Sequence, residues 1–226
     1  MKKILLIEDI QRRQEEFLKE VDIELDKDEY KNKLDNKIGD EYTNVFHQLK
    51  ENTFNYEEYS MFILHASAFE PHRTEIIFKI EEYCKKHTKP LVYFSGGKEV
   101  NNYSVVEGLE KLELNTKVFY SNNLKVFLDS YNDKKPNILM LSYGDQWKTN
   151  IILNVLEKIN RFIENPDNKD DVVFSMFKNF TKLDQLNELE YNYNTVLDEE
   201  EGWIYLKNIV KLKDELDVKI SEFTDV

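Results

Sequence analysis

Sulfur, basic clusters and long apolar runs are what this chain has least of. Among 226 residues there is one cysteine, Cys84, which excludes an internal disulfide and a thiolate metal cluster. The longest apolar stretch, Met61–Phe69, is interrupted by His65 and Ser67 and falls short of the roughly 18 residues a membrane-spanning helix needs. The first residues lack the apolar segment of a secretory leader, so a cytoplasmic protein with no membrane partner is expected. The formal net charge is −13, and no Lys/Arg cluster forms the basic stripe of a nucleic-acid binder, so direct contact with nucleic acid is not expected. The small-residue turn Ser95-Gly96-Gly97-Lys98 lacks the spacing of a P-loop and reads as a plain turn. There is no repeat and no low-complexity block.

What is present is enough for a core: 41% of residues are apolar and 13% aromatic. The opening stretch Lys3-Ile4-Leu5-Leu6-Ile7-Glu8-Asp9 is a continuous apolar run ending in two carboxylates, the mark of a strand buried on both faces whose end presents acids to a crevice. A helix follows over Gln11–Val21, with Phe17, Leu18 and Val21 on its apolar stripe. Ile23 and Leu25 suggest a short alternating strand, Asp26–Asp40 reads as a solvated helix or loop, and Tyr42, Val45, Phe46 and Leu49 line a helix face. Met61–Ser67 is a second buried strand. Pro71 suits the first turn of a helix whose face carries Ile76, Ile77, Ile80 and Tyr83, with Cys84 as a small hydrophobe beside them. Leu91–Phe94 is a third strand closed by Ser95 and the Gly pair, and Lys117–Ser121 a fourth. Asn122 or Asn123 caps the helix that carries Leu124, Phe127 and Leu128. Strand alternating with helix predicts a parallel sheet covered on both faces.

Asp133-Lys134-Lys135-Pro136 reads as a boundary between an α/β domain over 1–132 and an acidic helical region over 136–226. Ile138–Leu141 is an extra strand or the entry to a long helix, and Trp147–Ile163 is a strongly amphipathic helix. Val172–Phe180, Leu183–Tyr193 and Glu199–Phe223 are helical in pattern. Residues 167–226 hold fifteen acids against seven bases, so this region is the more acidic part. Its last segment carries more apolar surface than one thin stripe, and Trp203, Ile209, Leu212 and Leu216 are the residues expected to dock a protein partner or a second copy.

The first 132 residues resemble response-regulator receiver domains. The strand ending in Glu8 and Asp9 is similar to the opening receiver strand, whose acidic pair helps bind Mg²⁺, and Ser95 matches the hydroxyl residue that contacts the phosphoryl group. The resemblance implies a flavodoxin-like doubly wound sheet. It also has departures. Where the third receiver strand ends in the phosphoacceptor aspartate, this chain places His65, with Ser67 two residues on. Where the fifth ends in lysine, Phe119-Tyr120 is followed by Ser121. Transfer of a phosphoryl group to a carboxylate needs that carboxylate, a divalent ion and positive charge on the phosphoryl oxygens. A degenerate pseudo-receiver is therefore implied, with Glu8, Asp9, His65, Ser67, Ser95 and Ser121 around its pocket.

Glu8 and Asp9 are two carboxylate ligands that can hold a hard cation such as Mg²⁺, but two are few, and no cofactor is expected to be required. His65 is a candidate phosphoacceptor or general base for Ser67; the plainer reading is a hydrogen-bonded packing residue at a strand end. The expected function is non-enzymatic signalling or regulation through protein–protein contacts. The competing expectation is a ligand- or nucleotide-sensing or hydrolytic α/β domain with its site near Glu8, Asp9, His65 and Ser95.

Overall fold

Strand β1 (Lys3–Ile7) is the structural axis because its four residues Ile4–Ile7 have no solvent exposure on either face. A computed structural model of the chain describes residues 2–97, 101–165, 183, 188–191, 197–198, 203–204 and 206–224. In it β1 pairs in parallel with β2 (Leu34–Lys37) on one side and β3 (Tyr59–His65) on the other. β4 (Leu91–Ser95) and β6 (Leu109–Asn115) continue the parallel sheet, and β5 (Asn102–Val106) closes its edge in antiparallel pairing with β6. The order of the six strands is β2-β1-β3-β4-β6-β5.

Alternation along the strands divides the core in two. Ile4, Leu6, Met61, Ile63, Val92, Phe94, Leu112 and Leu114 face one side. There they pack on Leu18 of α1 (Gln11–Glu20) and on Leu124, Phe127 and Leu128 of α6 (Asn122–Asp129). Leu5, Ile7, Phe62, Leu64, Leu91 and Tyr93 face the other. They meet Val45 and Leu49 of α3 (Gly39–Lys50) and Ile76, Ile80 and Cys84 of α4 (Arg73–Lys86). Each strand residue thus buries a face against a helix layer, which is why the sequence shows continuous apolar runs rather than alternation. Burial pushes the Cys84 thiol well above its usual pKa, consistent with an inert packing role.

Several expectations are corrected. Lys117–Ser121 is not the fourth strand: Thr116–Phe119 forms a short helix, α5, and the next parallel strand is β6, a few residues earlier. β5 and β6 form a hairpin whose two-residue turn, Glu107-Gly108, has positive φ at both positions, matching the twist of the strands it joins. Asp26–Asp40, expected as a solvated helix or loop, holds the short helix α2 (Asp28–Lys31) but also strand β2, whereas Ile23 and Leu25 are buried loop residues and not a strand. Pro71 lies two residues ahead of α4 rather than in its first turn, and the Glu70–Pro71 bond is cis. The cap of α6 is Ser121, whose Oγ accepts from the Asn123 N–H, so neither asparagine caps it. Ile138–Leu141 leads into the single-turn helix α7 (Met140–Tyr143).

The chain divides into two compact units, Met1–Asp145 and Gln146–Val226. In the second, α8 (Trp147–Glu164) buries Ile151, Ile152, Val155, Leu156, Ile159 and Phe162, and α9 (Leu206–Thr224) packs against it. The two-residue strands β7 (Leu197–Asp198) and β8 (Trp203–Ile204) pair antiparallel, so Glu199–Phe223 is not one helix. Residues 188–191 are turn and bend rather than helix, and the helix expected over 172–180 lies outside the described residues. No helix among the described residues is long and apolar enough to cross a membrane.

Ile63 stands on β3, fully buried between β1 and β4. Ile63→Ala is expected to destabilise the first unit by about 2–5 kcal/mol, through lost transfer energy and an unfilled cavity. Urea denaturation of the full chain measures this, and a loss under about 1 kcal/mol would mean that the sheet core is not packed around this strand.

Candidate functional site

β1 continues to β2 on one side of it and is flanked by β3 on the other, so the chain crosses over beside the carboxyl ends of β1 and β3. Such a crossover leaves a crevice outside the strand ends, where open α/β sheets hold functional groups. Glu8 and Asp9 follow β1 there, and His65 ends β3.

Glu8 has no solvent exposure, and a buried carboxylate must be neutralised or hydrogen-bonded. Its Oε1 accepts from the Ile10 N–H at 3.0 Å and from Arg13 Nη2 at 2.5 Å. Arg13 reaches it from the first turn of α1, and the same Nη2 lies 3.5 Å from Asp9 Oδ1. Glu8 Oε2 accepts from the Tyr120 hydroxyl at 3.4 Å. Burial, followed by the Glu8 charge, raises the Tyr120 pKa well above its usual value, so the phenol keeps the proton it donates. Tyr120 in turn accepts from Gln14 Nε2 at 3.2 Å, and Gln14 and Asn36 exchange a pair of amide hydrogen bonds at 3.1 and 2.7 Å. One network therefore joins β1, α1, the edge strand β2 and the segment after α5.

On its other flank Asp9 Oδ1 lies 2.7 Å from His65 Nδ1. A carboxylate only accepts, so Nδ1 carries a proton and donates it to Asp9. Burial raises the Asp9 pKa, but the hydrogen bond and charge of His65 outweigh it and hold it below the ordinary 3.8. Ser67 Oγ lies 2.8 Å from the same Nδ1. In a Ser-His-Asp relay the acid and the hydroxyl occupy opposite ring nitrogens, so that the base can take the serine proton. Here both crowd one nitrogen that already bears a proton. The arrangement orients an imidazole and does not activate a hydroxyl.

The structure thus joins Glu8, Asp9, His65 and Ser67 by hydrogen bonds and ion pairs, and gives the other candidates local partners, although Ser95 ends β4 beside the His65 strand end. Ser95 Oγ accepts from the Gly97 N–H, and Ser121 caps α6 while donating to the Val118 carbonyl. Since β6 ends at Asn115, the residues at that strand end are Asn115 and Thr116, and the next lysine, Lys117, is exposed. Ile209, Leu212 and Leu216 are buried, and the side chain of Trp203 lies outside the described residues.

Arg13, Tyr120, Gln14 and Asn36 were not expected in the pocket. Arg13 had a readable signal, a cation four residues after Asp9 on a predicted helix. Tyr120 had none, because its approach depends on the true end of β6.

The resemblance to receivers implies Mg²⁺, which favours near-octahedral oxygen ligands and retained waters. As arranged, the donor set does not fit it: Glu8 Oε1 is taken by Arg13 and Ile10, and Asp9 Oδ1 by His65 with Arg13 beside it. Comparison with family models, curated proteins and solved structures returns no match.

Asp9→Asn removes the charge and keeps an acceptor, and is expected to cost about 1–2 kcal/mol at neutral pH. The folded pKa is depressed, so the contribution of Asp9 is complete above 3.8 and is lost as pH falls through the folded value. The gap between wild type and variant should therefore close below pH 3.8, as read by chemical denaturation across pH. A gap that widens in acid would refute the ionised Asp9–His65 pair.

Proposed function

We propose that the chain is a receiver-like regulatory protein whose pocket no longer transfers phosphoryl groups, and that it acts through protein–protein contacts. The observation that carries this reading is His65 at the end of β3, where the family has its acceptor carboxylate. The strand order supports a flavodoxin-like arrangement: β2-β1-β3-β4 followed by a fifth parallel strand, β6, with β5 as an added antiparallel edge. The network supports it further, because Arg13 and His65 engage Glu8 Oε1 and Asp9 Oδ1 within the protein. The pocket on this reading is a rigid brace, and signalling passes through the surface. The second unit is the output or assembly module, a reading carried over from its position after a receiver-like domain. With Ile209, Leu212 and Leu216 buried, the exposed large apolar groups among its described residues are Leu153 on α8 and Val210 and Val218 on α9, and these are what it offers a second copy.

The chemical half of the proposal is tested by incubating the full chain with acetyl phosphate and Mg²⁺ and measuring intact mass. No adduct is expected, and a hydroxylamine-labile phosphoryl adduct would overturn the reading. The assembly half predicts a mass above that of the monomer by light scattering. The double substitution Val210→Lys with Val218→Lys should lower it without lowering the melting temperature, because both side chains are exposed. A wild-type chain that stays monomeric at every concentration would remove self-assembly from the proposal.

A further inference from the structure

The mismatch with Mg²⁺ has a constructive side. Glu8, Asp9 and His65 each offer a ligand atom, and the three lie within 4.8 Å of one another. A second carboxylate beside a fully buried one is unstable without positive charge between them. The side chain that supplies it is Arg13, whose Nη2 bridges Glu8 Oε1 at 2.5 Å and Asp9 Oδ1 at 3.5 Å. The side chain of Arg13 is 27% exposed, so the guanidinium comes in from the rim while its partner Glu8 is sealed. Its buried Nε has no hydrogen-bond partner. The arginine therefore leaves one donor unmet while spending another on the acids, as expected if its place is set by the charge it neutralises and not by a matching fork of acceptors.

We infer that Arg13 is the built-in counter-cation of the Glu8–Asp9 pair, held where a divalent ion would sit, and that removing its charge opens a cation site made of Glu8, Asp9 and His65. The inference stands on this cluster alone and is independent of the receiver reading. Two carboxylates and an imidazole form a mixed oxygen and nitrogen set, better matched to Mn²⁺ than to Mg²⁺. No oxidation is involved: the metal takes the place of the guanidinium, and the Nδ1 proton that His65 donates to Asp9 moves to Nε2 or to solvent, so the Asp9–His65 hydrogen bond is exchanged for a metal bond to each side chain.

The test uses the full chain with Mn²⁺ as the probe. Wild type is expected to show no saturable binding by calorimetry, and a melting temperature indifferent to Mn²⁺. Arg13→Met and Arg13→Gln, the second keeping an amide donor for Glu8, should melt lower without metal and bind one Mn²⁺. Their melting temperature should climb with Mn²⁺ concentration, and the electron paramagnetic resonance signal of free Mn²⁺ should fall. Adding Glu8→Gln to either variant should abolish the binding. Wild type binding Mn²⁺ as tightly as the variants would overturn the inference. So would folded variants that do not bind, binding that survives Glu8→Gln, or failure of both variants to fold even with Mn²⁺ present.

Discussion

The structure turns on one carboxylate that cannot reach water. Glu8 follows four fully buried residues of β1 and is itself fully buried, so the strand carries a negative charge into the edge of the core. Leaving it uncompensated would cost several kcal/mol, a sizeable part of a domain's stability. Every neighbouring element answers that charge. The chain turns at Ile10 so that its N–H points back to Glu8, and α1 begins in the register that delivers Arg13. Tyr120 stops where its hydroxyl reaches the second oxygen, and Gln14 ties Tyr120 to Asn36 on the edge strand. α1 and the segment after α5 are thus tied directly to this one side chain, and β2, already paired with β1 along its backbone, is joined to the same network through Asn36.

What could be read from residues alone follows the same logic. β1, β3 and β4 were legible because each is a run buried on both faces, which leaves an unmistakable block of apolar residues. Helices α1, α3, α4 and α8 were legible through their stripes. β2 was not, because Leu34-Asp35-Asn36-Lys37 buries only Leu34 and draws its strand character from pairing with β1, a long-range fact. β6 alternates at Leu112 and Leu114, and the Glu107-Gly108 turn is a usable hairpin signal, yet the more apolar Lys117–Ser121 drew the assignment away. That shift displaced the end of the last parallel strand and with it the expected place of Ser121. The acid pair and His65 were legible as strand-end residues. Their mutual geometry, above all the sharing of one imidazole nitrogen, is a tertiary property with no local signature.

That shared nitrogen decides what the pocket can do. An imidazole whose Nδ1–H is committed to a carboxylate is oriented, and a serine beside the same nitrogen gains no base from it. The same commitment gives Asp9 its depressed pKa and fixes the end of β3 against the end of β1. The Asp9–His65 bond therefore adds a side-chain link, just past the strand ends, to the backbone ladder that already joins β1 and β3.

Charge completes the argument. Glu8, Asp9 and Arg13 sum to one negative charge, and to none if His65 is protonated, so the cluster has no positive excess in either state. A phosphoryl group carries a charge of about −1.5 to −2 at neutral pH. Entering this crevice it would face a buried carboxylate and compete with it for the single guanidinium. A receiver-type switch works by adding charge that a bistable element is built to receive. On the proposed reading, a pocket whose positive charge is already engaged by its own acids gives no such response. Information, on that reading, therefore travels through this domain by what docks on its surface, while the pocket holds β1, β3 and α1 in one arrangement.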